Sequence, residues 1–279
     1  MAVAKPRLQA LIEAAERTRE RVCSGATTWE EVEQAYLAAL AESPQDPMSR
    51  EYLGRIYTRW GQFEKALQYL SPRGGWSSLN YAFCMDALGR RDDAMPVYEK
   101  LLREAGGTTI GQWATLGLEQ PTWPKDLDIA AEPGEARLSP SEHWRVSAWA
   151  AEEGTKPELA IDGNRQTEWE TRGRTRPQEP GQWFRLDFDS PLVVSRIVLD
   201  HYGEKTIYTN EWARSLSASI TGDGRNWRDV PVSPAGIFEP AAVKLNPAQR
   251  VKSVKFTTTA YHSPEWWGIY EVFVFGPAK

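Results

Sequence analysis

Gly181-Gln-Trp-Phe-Arg-Leu-Asp-Phe188 decides the fold of the second half of the chain. Trp183, Arg185 and Asp187 alternate with Phe184, Leu186 and Phe188. A period of two sends successive side chains to opposite faces of a strand, so the two sets occupy opposite faces. Val193 to Leu199, Leu216 to Thr221, Val251 to Thr258 and Ile269 to Phe275 are further β-branched or aromatic runs. Gly222-Asp-Gly224, Pro231 and Pro234 supply turns. Several short strands separated by turns predict an antiparallel sandwich or barrel from about residue 141 onward.

Upstream the period changes. Residues 1 to about 122 are dominated by Ala, Leu, Glu and Arg, the better helix formers. Leu8, Leu11, Ile12 and Ala15 stand at helical spacing, as do Val32, Tyr36, Ala39 and Leu40. Ser43-Pro-Gln-Asp-Pro47, Gly61, Pro72-Arg-Gly-Gly75 and Gly89 interrupt the pattern, because proline lacks an amide donor and glycine weakens a helix. Leu53-Gly54, Tyr57, Gly61 and Ala66, then Tyr81, Gly89, Ala94 and Tyr98, recur irregularly. This segment resembles a degenerate tetratricopeptide array, in which small residues such as Gly54 and Ala66 let helices approach closely. Such arrays present binding surfaces and carry no chemistry of their own. Residues 106 to 140, punctuated by Gly and Pro, read as a connector with one short helix near Trp113. The expected division is an all-α helical repeat over 1–122, a linker over 123–140, and an all-β sandwich over 141–279.

Composition narrows the function. The hydrophobic fraction of 41% and charged fraction of 25% are those of a globular chain, which argues against wholesale disorder. The net charge of −5 argues against a general nucleic-acid binder. No apolar run approaches the roughly 18 residues of a membrane span. The N-terminal stretch has no apolar signal-peptide core, so the sequence predicts a cytoplasmic protein, with exposure at the cell surface left open. Cys23 and Cys84 fit no zinc spacing and read as free thiols. There is no phosphate-cradling glycine loop, no Gly-x-Ser-x-Gly and no His-Glu-x-x-His, so no enzyme is expected. Asp187 and Asp189 share a strand face, but two acids need a cleft between them before they make a glycosidase.

Three pieces of the β half carry a family resemblance. They are Ala160-Ile-Asp-Gly-Asn164 with Thr167-Glu-Trp169; Gly181 to Phe188 with Val194 to Leu199; and Ser219 to Trp227 with Trp267 to Phe275. In this order the half resembles the discoidin, or coagulation factor 5/8 type C, domain, and within it the family 32 carbohydrate-binding modules. The resemblance implies an eight-stranded jelly-roll sandwich (galactose-binding-like) with adjacent termini. It also implies one structural calcium, held by the side chains of Asp162 and Thr167, the carbonyls of Leu159 and Asn164, the Glu271 carboxylate and the Tyr270 carbonyl. Calcium is a hard cation that takes six to eight oxygens, which this set supplies. The alternative reading of the loop is an Asx-turn with no ion.

Specificity in this family resides in loops at one end of the sandwich. Sugar recognition takes an aromatic face and a few polar groups. The candidate residues are His201, Tyr202, Tyr208, Asn210, Trp212 and Arg214 in one long loop, Arg172 in a second, and His262 with Trp266 in a third. Trp169, Trp183, Trp227 and Trp267 fall within framework motifs and are expected in the core. The function expected is a non-catalytic glycan-binding module on a helical-repeat scaffold that binds a protein partner, accessory to a bacterial glycan or glycosyltransferase system. The alternative is an adaptor that uses both halves for protein–protein interaction. Neither nucleic acid nor membrane is expected as a partner.

Overall fold

The computed structural model describes residues 6–138, 143–171, 177–207, 211–262 and 266–278. The chain divides into two compact units, Met1–Lys125 with Lys205–Ile207, and Asp126–Glu204 with Tyr208–Lys279. No helix among the described residues is long and apolar enough to cross a membrane.

Among the described residues the first unit contains seven helices: α1 (Pro6–Glu20), α2 (Trp29–Glu42), α3 (Pro47–Arg59), α4 (Phe63–Leu67), α5 (Gly75–Ala87), α6 (Arg91–Ala105) and α7 (Thr109–Glu119). Their starts are written locally. Thr28 and Glu31 close a reciprocal capping box on α2, at 3.3 and 3.0 Å. Asp46 caps α3 by accepting the Ser49 amide at 2.8 Å, and Pro47 takes the first helical position, where no amide donor is needed. The Ser43–Pro47 break is therefore a helix start. Trp29, Val32, Tyr36, Ala39 and Leu40 form the buried stripe of α2. Three buried tyrosines each send a hydroxyl to a carboxylate on the preceding helix. Tyr36 donates to Glu16, Tyr57 to Glu33 at 2.5 Å and Tyr98 to Asp86 at 2.8 Å. Pairing satisfies a hydroxyl that burial would otherwise penalise.

The stretch expected as a linker is divided between the units. Thr122 donates its amide to Asp86 at 3.3 Å, and Trp123 packs edge-on against Phe63. Residues 126–138 go with the second unit, where they contribute a strand, β1 (Glu135–Leu138).

The second unit contains β1, β2 (Arg145–Ala148), β3 (Trp169–Glu170), β4 (Trp183–Asp200), β5 (Leu216–Thr221), β6 (Trp227–Val230), β7 (Ala241–Thr258), β8 (Gly268–Ile269) and β9 (Glu271–Pro277). Seven of them form one antiparallel sheet in the order β1-β9-β4-β7-β5-β6, with β2 also on β4. β3 and β8 pair separately, so the described residues hold nine strands where the resemblance implies eight. The register of β4 on β7 shifts between Asp187 and Leu192, where β4 changes layer. Phe184, Leu186 and Phe188 from its first part and Val194, Ile197 and Leu199 from its second thus share one core. Terminal adjacency is direct: Glu135 pairs with Pro277, and Ala278 donates to Gly134 at 2.8 Å.

Two of the framework tryptophans leave the core. Trp169 and Trp267 are buried and meet edge to face at 5.1 Å between centroids. Trp183 is half-buried and Trp227 exposed, both on the outer side of the β2-β4-β7-β5-β6 layer. Period two separates two faces but does not say which one packs when both carry aromatics.

Candidate functional site

The loop before β3 is built around Asp162-Gly163-Asn164, which follows a 3-10 helix at Pro157–Ile161 ending the Leu159 turn. Gly163 has φ of +81°, the left-handed region that favours glycine. Asp162 accepts the Asn164 amide at 2.8 Å, an Asx-turn. The Thr167 hydroxyl lies 2.7 Å from Asp162 Oδ2 and 2.8 Å from the Asn164 carbonyl oxygen. From β9, Glu271 reaches back and accepts the Gly163 amide on Oε2 at 2.9 Å. Its other oxygen, Oε1, is buried with no hydrogen-bond partner. Burial pushes the Glu271 carboxyl up to about 8, helped by the neighbouring Asp162 charge and opposed by the Gly163 amide.

This donor set is oxygen only. It combines two carboxylates, a hydroxyl and a main-chain carbonyl, and one buried carboxylate oxygen lacks a partner. Such chemistry fits a hard cation. No group of three or more His, Cys, Asp or Glu side chains suited to a metal occurs among the described residues. Tyr270 lies between β8 and β9, with its amide on the Asp200 carbonyl at 2.8 Å.

A residue that sequence reasoning missed stands beside this loop. Arg165 pairs with the buried Asp200 at 2.7 Å and donates to the Leu127 carbonyl at 3.2 Å. Asp200 in turn accepts the amides of Tyr202 and Gly203 at 2.9 and 3.2 Å. Gly203, at φ of +65°, passes so close to Arg165 that an added Cβ would sit 2.7 Å from its carbonyl oxygen. Arg165 therefore fastens the loop to the end of β4.

The expected ligand loops converge, but several aromatic residues turn inward. His201, Tyr202 and Trp212 are 2%, 0% and 4% exposed. They cannot form an open stacking platform as placed, because their rings are used against one another. His201 lies 5.6 Å from Trp212, and Tyr202 packs on Phe238 at 5.8 Å. His201 Nε2–H donates to the Gly236 carbonyl at 3.0 Å. Burial pushes its pKa down to about 4, so the ring is neutral at pH 7. Tyr208, Asn210 and Arg172 lie outside the described residues.

Arg214, His262 and Trp266 remain partly accessible. The Arg214 guanidinium carbon stands 3.4 Å from the centroid of the Trp212 ring. The piece that joins the loops is Gln178, fully buried and absent from the expected set. Its Nε2 donates to the Trp212 and Trp266 carbonyls, both at 2.9 Å, and its Oε1 accepts the Arg214 amide at 2.9 Å. Its backbone pairs with His262 in both directions at 2.9 Å. One amide thus ties three loops; nothing in the local sequence around Gln178 signals it.

Behind these loops lies a buried carboxyl pair, Glu168 and Glu211. The Tyr270 hydroxyl donates to Glu211 at 3.1 Å. Burial, then the Glu168 and Glu170 charges, raises the Glu211 pKa well above the usual carboxylate range.

No curated protein matches the chain. Similar solved structures include the family 32 carbohydrate-binding module of Clostridium perfringens NanJ in complex with galactose. It is 20% identical, covers 50% of this chain and 98% of that one, and has a TM-score of 0.44. The module CpGH89CBM32-5 of Clostridium perfringens, in complex with GalNAc-β-1,3-galactose, is 16% identical over 50% and 99%, with a TM-score of 0.40. Chitosan-binding module 1 of the chitosanase/glucanase from Paenibacillus sp. IK-5 is 21% identical over 48% and 96%, with a TM-score of 0.39. At the level of sequence, residues 141–273 match the family model of the F5/8 type C domain.

Proposed function

We propose that the β unit is a non-catalytic glycan-binding module and that the helical unit, a tetratricopeptide-like repeat, docks a protein partner. The reading is carried by the match of residues 141–273 to the F5/8 type C domain. The loop end tied by Gln178 supports it, because a fixed frame there presents Arg214, His262 and Trp266 as planar polar and aromatic groups. Such groups recognise sugar hydroxyls and the apolar face of a sugar ring. Tyr208, Asn210 and Arg172 belong to the same proposed site. The buried His201, Tyr202 and Trp212 act as its support.

Calcium is the cofactor of this reading, held by Asp162, Thr167 and Glu271 with the Asn164, Leu159 and Tyr270 carbonyls. It neutralises the buried Glu271 and joins the first loop to the last strand. A place in a bacterial glycan or glycosyltransferase system goes with this reading. The test is a glycan array on the whole chain with calcium and with chelator, repeated for Arg214→Ala and Trp266→Ala. Binding of a defined sugar that those changes abolish supports the site. Binding that survives both keeps the module and removes the site. No binding by the folded chain defeats the reading.

A further inference from the structure

The outer face of the β2-β4-β7-β5-β6 layer carries an ordered set of side chains away from the loop end. Antiparallel register places them in rows, with neighbouring strands about 4.8 Å apart. Trp183, Thr257 and Ser217 form the first row, and Trp149 joins it by donating its amide to the Trp183 carbonyl at 2.8 Å. Ser147, Arg185, Lys255, Ser219 and Asp229 form the second. Arg145, Asp187, Ser253, Thr221 and Trp227 form the third. Trp149 and Trp227 are 40% and 36% exposed, and both belong to this face. Exposed aromatics gathered on one face, unlike scattered ones, call for an explanation.

The cations are interleaved with the rings. Lys255 Nζ stands 5.2 Å from the Trp183 centroid, and the Arg185 guanidinium reaches across the sheet to within 5.2 Å of Trp227. Arg185 also holds Asp187 at 2.6 Å, which neutralises that carboxylate. Arg145 and Lys255 have no carboxylate partner among the described residues. The third row runs into a hollow of about 630 Å³ lined by His143, Arg145, Asp187, Phe188, Asp189 and Lys252. Lys252 Nζ sits at its rim, donating to the Phe188 and Asp189 carbonyls.

The geometry points to a second ligand surface: this sheet face binds an extended acidic glycan, with sugar rings on Trp149, Trp183 and Trp227 and ligand carboxylates on Arg145 and Lys255. The half-buried Ser147, Ser219 and Thr257 match sugar hydroxyls, while Ser253 and Thr221 are buried beneath the face and donate to Asp187 and Asp223. A nucleic acid fits less well. A nucleic acid is held through many phosphate contacts, and this face offers few cations for them, Arg145 and Lys255 with Lys252 at the rim. The face is separate from the loop end of the preceding proposal, so either site can fail alone.

The experiment uses the whole chain and isothermal titration with oligogalacturonate, oligomannuronate and hyaluronate oligosaccharides. Neutral cellotetraose and a single-stranded oligonucleotide serve as controls. The expected result is binding of an acidic oligosaccharide that weakens with salt and falls at least tenfold in Lys255→Glu and in Arg145→Glu. Trp227→Ala should weaken it about fivefold. Acidic-glycan binding lost in Arg214→Ala but intact in the face variants overturns the second surface and leaves the loop site standing. Preference for the oligonucleotide, or no acidic oligosaccharide bound at millimolar concentration, also overturns it.

Discussion

Glu271 accepts the Gly163 amide at 2.9 Å with one oxygen and buries the other without a partner. An ionised carboxylate in that position is costly unless a cation meets it. Calcium at about 100 times its dissociation constant should stabilise the fold by about 2.7 kcal/mol. For a unit of this size that raises Tm by on the order of 5–10 °C. Differential scanning calorimetry with calcium and with chelator measures it. Glu271→Gln should remove the shift, and an equal shift in that variant would refute calcium at this loop.

Gln178 should matter more than its place between two loops suggests. Gln178→Leu removes three hydrogen bonds and leaves the Arg214 amide and two carbonyls to find other partners. At about 1 kcal/mol each, and more where a buried group is left bare, the expected cost is about 2–4 kcal/mol. Urea unfolding followed by tryptophan fluorescence gives the number. A change below about 0.5 kcal/mol would show that the loops hold together without it.

His201 makes a prediction about acid. Its folded pKa is about 4, against an ordinary value near 6.5, because burial disfavours the charged ring. The unfolded chain therefore takes up the proton first as pH falls. The stabilising contribution is complete above about pH 6.5 and is lost progressively toward pH 4, for a total of about 3 kcal/mol. Unfolding free energies for the parent and for His201→Gln at pH 7 and pH 4.5 isolate this effect. The gap between the two pH values should shrink in the variant; an unchanged gap would mean that His201 titrates normally.

Gly54 is needed for space. A Cβ there would lie 2.3 Å from Leu70 Cδ2 and 2.5 Å from Cγ. Gly54→Ala should cost about 1–3 kcal/mol by overpacking, despite alanine's better helix propensity. Thermal denaturation by circular dichroism checks the sign, and a stabilised variant would show that Leu70 moves aside freely.

Much of the architecture could be read locally. The Trp183/Arg185/Asp187 and Phe184/Leu186/Phe188 sets do fall on opposite faces, and the second set is buried. The helical stripe of α2 is Val32, Tyr36, Ala39 and Leu40 as spaced. The site was less legible. Sequence position brought His201, Trp212 and Trp266 into neighbouring loops but could not show that His201 and Trp212 point inward. Gln178 holds the Trp212 and Trp266 carbonyls across large gaps in sequence, and no periodicity reports such a bond.

What the sequence by itself determined is whatever depends on near neighbours along the chain. That covers the helix and strand periods, the Thr28 and Asp46 caps, and the turn at Gly163, since each arises from dihedral preference and short-range hydrogen bonding. What only the tertiary structure decided is which side of each element is covered. Trp183 and Trp227 face outward, His201 and Tyr202 inward, and residues 126–138 leave the linker to join the sandwich. Burial is a property of segments far apart in sequence that meet in space, so it is settled by the packing of the whole unit and not by any one stretch of it.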